Sequence, residues 1–270
     1  MIDAVRRSLR ATLEMALPTT CGGCGTPGPT WCATCGQETR EATYAGGSRQ
    51  VHPTPCPEGL PTTWAAMPYD GAVRAALVAF KDADRRDLQS VLAPMLAGAM
   101  AAALAGDRHL GDLLVSGNGP VFVVPVPSSP AAIRRRGDAP LELLTRAAAA
   151  HLGPAVRAEG QLVISPALRL RRRVADQAGL DHRQRAANLE CAMQVQPRWQ
   201  DSLQGVTCLL VDDVLTTGST LVEAARALRA GGAAHVAAVT VAATQRRGIP
   251  SAGAGNGVDA DLRLRSCRPA

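Results

Sequence analysis

Asp212 and Asp213 stand side by side at the end of an apolar run that begins at Thr207. After Val214 and Leu215, the stretch Thr216-Thr217-Gly218-Ser219-Thr220 gathers four hydroxyls around a glycine. Helix-like sequence follows over 221–230, ending at Gly231-Gly232, and Val236 to Ala242 reads as a further strand. This order predicts a buried strand, a polar edge, a loop of phosphate size and a helix N-terminus, where unpaired backbone N–H groups and a partial positive charge favour an anion. Two adjacent carboxylates would repel a bare phosphate. They suit a ligand that carries hydroxyl donors, or a bound cation, close to its phosphate, and ribose 5-phosphate has that layout. Strands ending in paired acids also occur in Walker B-like ATPases and in receiver domains. The chain has no Gly-x-x-x-x-Gly-Lys-Ser/Thr loop for the former, and a receiver has no use for the Thr/Ser loop. A turn that binds nothing is the remaining alternative.

A second group of chemistry-bearing residues lies near the start. Cys21-Gly22-Gly23-Cys24 and Cys32-Ala33-Thr34-Cys35 form paired Cys-x-x-Cys knuckles. Each pair can grip one face of a tetrahedral ion, and glycines allow the tight turns. Cys21, Cys24, Cys32 and Cys35 are the candidate ligands of a structural Zn²⁺. Two disulfides, or a redox Cys-x-x-Cys, are the rival readings. Cys208 sits in the apolar strand and reads as a small buried hydrophobe. Cys56 and His52 offer the remnant of a second knuckle, but Pro53, Pro55, Pro57 and Pro61 mark that stretch as linker.

These groups need elements to hold them. Tyr69-Asp70-Gly71 leads into an alanine-rich helical pattern that ends at Phe80-Lys81-Asp82, and Val121 to Pro127 is a short strand-like run stopped by prolines. It runs out into Ser128, Ser129 and the cluster Arg134-Arg135-Arg136-Gly137-Asp138. Hydroxyls and guanidiniums after a strand form a plausible pyrophosphate cradle, since Arg pairs bidentately with phosphate; a solvated basic turn is the alternative. Arg171-Arg172-Arg173 with Asp176 and Gln177 reads as a basic loop able to close over an anion site, or as an exposed arginine run. Arg185 and Asn188 follow on an expected helix.

Composition sets outer bounds. The core must come from Ala, Leu and Val, because only 3% of the 270 residues are aromatic against 46% hydrophobic, and this fits a helix-covered parallel sheet. A net charge of +6 favours phosphate-bearing ligands or nucleic acid without choosing between them. No membrane span is expected: the longest apolar run, Val91 to Ala105, is too short, is interrupted by Pro94 and reads as a buried helix. Glu14 breaks the apolar centre that a signal peptide needs, so a cytoplasmic location is expected. The divisions predicted are an N-terminal helix (1–17), a zinc-ribbon module with linker (18–60), a large α/β domain (61–245) and a poorly ordered tail (246–270).

The Asp-Asp-Val-Leu-Thr-Thr-Gly-Ser-Thr segment resembles the phosphoribosyl-pyrophosphate (PRPP) signature of type I phosphoribosyltransferases. Its order after the zinc knuckle, Tyr-Asp-Gly, Phe-Lys, Pro-Val-Pro, Arg-Arg-Arg-Gly and Gln-x-x-Leu-x-x-x-x-Arg-x-x-Asn resembles the ComF/GntX family over roughly 18–245. The resemblance implies a type I phosphoribosyltransferase fold, a central parallel sheet flanked by helices, with a small N-terminal four-cysteine zinc module. It implies that Asp212 and Asp213 hold the ribose hydroxyls and that Thr216, Thr217, Gly218, Ser219 and Thr220 wrap the 5-phosphate. Arg136, with Lys81 or Arg173, would offset charge on a departing pyrophosphate, and Mg²⁺ would ride on PRPP. The ligand implied is PRPP or a phosphoribosyl nucleotide, and the reaction is transfer of the phosphoribosyl group to a nitrogen nucleophile. The alternative is a non-catalytic adaptor in competence, acting in uptake of single-stranded DNA with a helicase partner; the scarcity of aromatics weakens direct base stacking. Relatives read Arg-Gly-Phe-Asn-Gln where this chain has Arg136-Gly137-Asp138-Ala139-Pro140. Asp138 is therefore expected to set a negative charge beside the pyrophosphate loop.

Overall fold

A computed structural model describes residues 19–153, 162–171 and 192–245. The expected helix over 1–17, the basic residues Arg172 and Arg173, the Gln177, Arg185 and Asn188 signature, and the tail from 246 lie outside the described residues.

The two longest strands are β7 (Thr207–Leu215) and β8 (His235–Ala243). Both are apolar with little alternation, and Leu209, Leu210, Val211, Ala237, Ala238 and Val239 are fully enclosed. Strands of that composition must be covered on both faces, which is the condition of a parallel sheet in an α/β protein. Four more strands complete it: β1 (Arg49–Val51), β2 (Thr63–Pro68), β3 (Val121–Pro125) and β4 (Leu162–Ile164). The spatial order is β1-β2-β8-β7-β3-β4, with β1 antiparallel to β2 and all other pairs parallel. The edge strand β1 thus lies just before the proline-rich stretch. A separate two-stranded antiparallel pair joins β5 (Leu168–Leu170) and β6 (Met193–Val195).

Adjacent residues on a strand point to opposite faces, and two cores follow. On one face Leu209, Val211, Val239 and Val241 pack under α2 (Gly71–Asp82), α3 (Gln89–Gly106) and α6 (Pro140–His151), the last two helices supplying Leu92, Leu96, Met100, Leu104 and Leu144; α1 is the short helix Ala33–Ala42 next to the cysteines. On the other face Cys208, Leu210, Val236 and Ala238 pack against α7 (Ser219–Ala230), whose Leu221, Ala224, Ala225 and Leu228 recur at helical spacing. Between α3 and β3 lies α4 (Arg108–Ser116), and α5 (Pro130–Arg136) follows β3. Truncating a sealed leucine such as Leu96 or Leu210 to Ala is expected to cost about 2–5 kcal/mol, transfer and cavity terms together.

Two expectations about the apolar run at 91–105 change. Pro94 does not interrupt it, because α3 passes through that residue. With the preceding turn the helical stretch Arg86–Gly106 is long and apolar enough to cross a membrane by length and composition, yet Leu92, Leu96, Met100 and Leu104 are sealed in the core, as a buried helix requires.

Candidate functional site

The register of the sheet creates the site. Val211 of β7 lies opposite Pro125, the last residue of β3, whereas Leu215 lies opposite Ala243 of β8. From Asp212 onward β7 therefore projects past β3 and is flanked by β8 alone. A cleft of about 730 Å³ opens over this step at the carboxyl ends of the strands, the position where open α/β sheets take ligands. Asp212, Asp213, Lys81, Arg136, Thr216 and Thr220 all line it, as do Ser128 and Ser129. Thr217, Gly218 and Ser219 form the turn between lining residues.

The two acids have different surroundings because they face opposite sides of the sheet. Asp213 faces α2, where Lys81 Nζ lies 2.6 Å from its Oδ2. Burial would lower the pKa of Lys81, but the charges of Asp213 and Asp212 and the hydrogen bond to Asp213 outweigh it and raise it to about 12. Lys81 is therefore cationic. Asp212 shares its face with Leu210 and α7 and is buried; its Oδ1 accepts a hydrogen bond from the Asp213 N–H at 2.9 Å. Burial first, and then the Asp213 charge, push its carboxyl up to about 8, against the pull of Lys81. A carboxyl in that state gains most from a ligand that brings hydroxyl donors or a cation to it.

The loop after β7 is shaped for a close approach. Gly218 has φ +82° and is the N-cap of α7, with no side chain capping the helix. A Cβ at this position would lie 2.9 Å from Leu60 Cδ1 and 3.2 Å from Pro57 Cγ, so the linker closes the space beneath the loop. Only glycine satisfies both the backbone and the contact. Thr217 Oγ1 and Ser219 Oγ are 3.1 Å apart, the Ser219 N–H donates to Thr217 Oγ1 at 3.5 Å, and the N-cap residue of α7, a glycine, offers no side chain to the first turn.

Across the cleft Ser129 caps α5, its Oγ accepting from the Ala132 N–H at 3.1 Å. Arg136 closes that helix, and its Nη2 lies 3.1 Å from Oδ1 of Asp82. Asp82 also lines the cleft, with Tyr69 and Phe80. Sequence reasoning passed over these three; the Phe-Lys-Asp and Tyr-Asp-Gly groupings contained them without marking which side chain turns inward. Leu77, Val78, Leu141, Leu170 and Met193 make the remaining wall apolar. The described lining includes residues of the 60–110 region and none of the cysteine module. Asp138 departs from expectation: it does not line the cleft, and its carboxylate accepts from Arg86 Nε at 2.6 Å and Arg86 Nη2 at 2.8 Å. The hydrogen bond and charge of Arg86 lower its pKa, so its negative charge is paired outside the cleft.

The four knuckle cysteines converge separately. Their sulfurs all lie within 4.8 Å of one another, and Cys24 Sγ and Cys32 Sγ are 3.8 Å apart. A tetrahedral ion with Zn–S bonds of about 2.3 Å sets its sulfurs roughly 3.8 Å apart, so the cluster fits a closed structural zinc site. The Cys32 N–H donates to Cys21 Sγ and the Cys35 N–H to Cys32 Sγ, both at 3.4 Å, as thiolate ligands require. Cys56 takes no part: it is disulfide-bonded. Cys208 is buried in β7, where burial pushes its thiol up to about 12.

Residues 171–256 match the family model described as phosphoribosyl transferase domain. The matched segment contains β7, the Asp212-Asp213 pair, the hydroxyl loop, α7 and β8. No curated protein matches the chain. The match supports a phosphoribosyltransferase-like protein. With the mostly parallel sheet, its flanking helices and the four-cysteine cluster, it agrees with the expected fold.

Proposed function

We propose that the cleft binds PRPP, or a related ribose 5-phosphate ligand, and transfers the phosphoribosyl group to a nitrogen nucleophile. The observation that carries this reading is the meeting, in one cleft, of a hydroxyl loop at a helix N-terminus, a pair of carboxylates and two cations from separate elements. In this reading the loop from Thr216 to Thr220 receives the 5-phosphate, with the α7 amides adding donors. Asp212 and Asp213 accept hydrogen bonds from the ribose hydroxyls. Lys81 and Arg136 leave their carboxylate partners to face the pyrophosphate as it takes the electrons of the breaking C1′–O bond. The incoming nitrogen forms the new bond to C1′ against the apolar wall of Leu77, Val78, Leu141, Leu170 and Met193, a surface that suits a planar, weakly polar acceptor. Magnesium bound with PRPP would neutralise its phosphates, and the Asp212 and Asp213 carboxylates are hard oxygen donors of the type it takes. The cysteine module serves folding, and no observation among the described residues favours the DNA-uptake adaptor.

The experiment is a screen of nucleobases and other nitrogen nucleophiles with PRPP and Mg²⁺, monitored by pyrophosphate release. Release that depends on one acceptor and disappears in Asp212→Asn/Asp213→Asn is the expected result. PRPP binding with no release for any acceptor would leave a ligand-binding protein and remove the transfer step.

A further inference from the structure

Two charged pairs of opposite polarity join the end of α2 and the turn after it to the end of α5 and the loop after it. In one, the end of α5 supplies the cation (Arg136) and the end of α2 the carboxylate (Asp82). In the other, two residues on in the loop, Asp138 supplies the carboxylate and Arg86 the cation. The second pair is bidentate, with both oxygens of Asp138 engaged. The guanidinium of Arg86 is held from other sides as well. It donates through Nη1 to the Phe80 carbonyl oxygen, lies 5.2 Å from the centre of the Phe80 ring, and its Nη2 is 2.9 Å from Asp84 Oδ1.

The segment carrying Arg86 is fixed from behind. Arg85 donates through Nη2 to the Thr20 carbonyl oxygen at 2.8 Å and lies 2.7 Å from Asp87, while Thr30 Oγ1 donates to Asp87 at 3.0 Å. Arg85 and Asp87 therefore face the cysteine module while Arg86 faces the anion loop. Phe80, Lys81, Asp82 and Arg136 line the cleft, but Arg86 and Asp138 do not.

We infer that Arg86 is a positioning residue. It cancels the Asp138 charge and pins the Arg136-Gly137-Asp138 turn so that Arg136 faces the cleft and can meet a diphosphate. Without Arg86, a fixed carboxylate two residues from Arg136 would compete for that cation and repel the ligand. This inference rests on the proposed reading of the cleft, and it explains how the chain tolerates an acid in its anion loop.

The test compares two ligands that differ in the diphosphate alone. Binding of PRPP and of ribose 5-phosphate, each with Mg²⁺, is measured by calorimetry for the parent, Arg86→Gln, Arg86→Lys and Arg86→Gln/Asp138→Asn. Arg86→Gln is expected to weaken PRPP at least tenfold and ribose 5-phosphate less than twofold. Arg86→Lys, which keeps the charge but loses the bidentate geometry, should fall between parent and Gln. Adding Asp138→Asn should return PRPP affinity to within threefold of the parent. Should Arg86→Gln not fold, the Lys variant and the double variant carry the same comparison. Unchanged PRPP affinity, an equal loss for both ligands, or no recovery in the double variant would each overturn the inference. A parent that binds neither ligand would instead overturn the reading of the cleft, and this inference with it.

Discussion

The cysteine cluster and the acid-lined cleft both hold reactive side chains at turns, but they are completed differently. The four sulfurs face one another within 4.8 Å and leave no coordination position open, so a metal ion there finishes the local structure. The cleft presents its groups to open space, and its charges are paired across it: Lys81 with Asp213, and Arg136 with Asp82. Those partners can be exchanged for a ligand's. Convergence with nothing left over indicates a structural role. Paired charges lining a void, beside a helix N-terminus whose N-cap residue is a glycine, indicate a binding role.

The largest effect is expected at the closed cluster. Replacing Cys24 or Cys32 with Ser, or removing metal with a chelator, should abolish a content of about one zinc per chain and lower the melting temperature by roughly 10 °C or more, since metal affinity in such modules is folding energy. Metal analysis and thermal melts read this. Full stability without metal would remove the contrast between the two regions.

The next effect belongs to the cleft. Asp212→Asn/Asp213→Asn should lower PRPP affinity by two or more orders of magnitude without lowering the melting temperature. Asp212 supplies a further sign. Its folded pKa, about 8, lies above the ordinary carboxylate value, so between about pH 4 and pH 8 the native chain holds a proton that the unfolded chain has released. Stability should therefore fall as pH rises through that window, and Asp212→Asn should remove the slope. Affinity for a ligand that needs the carboxylate should run the other way, rising up to tenfold per unit from pH 6 and levelling above about pH 8. Calorimetry in buffers of different ionisation enthalpy should show close to one proton released on binding at pH 7. A flat profile would mean that Asp212 does not meet the ligand.

The smallest effect is expected at the loop. Gly218→Ala must adopt φ +82° and displace Leu60, at a cost of about 1–2 kcal/mol in stability. The same displacement should weaken ribose 5-phosphate binding severalfold, whereas a substitution at Gly205, also at positive φ but with no atom near its Cβ position, should cost stability alone.

Much of this was readable in the sequence because it is local. The apolar run into Asp212, the glycine among hydroxyls and the helical spacing from Leu221 fix β7, the loop and α7 within one short segment, and the two knuckles declare themselves by spacing. What the sequence did not disclose depends on contacts between distant residues. Asp82 pairs with a residue 54 positions away and Arg86 with one 52 away, and neither spacing carries a period. Asp138 looked like a charge facing the ligand because its partner was out of view. The three-residue edge strand before the proline-rich stretch was hidden for the same reason, since β1 exists only through its pairing with β2. Pro94 was overrated as a breaker, because burial of the apolar residues around it holds α3 continuous.

The central claim is that this cleft takes a phosphoribosyl ligand, and calorimetric titration of the full chain with PRPP in the presence of Mg²⁺ tests it most directly. Saturable binding of one ligand per chain, lost in Asp212→Asn/Asp213→Asn while the thermal melt stays cooperative, is the expected result. No heat at millimolar PRPP, or equal affinity in the parent and the double variant, would contradict it.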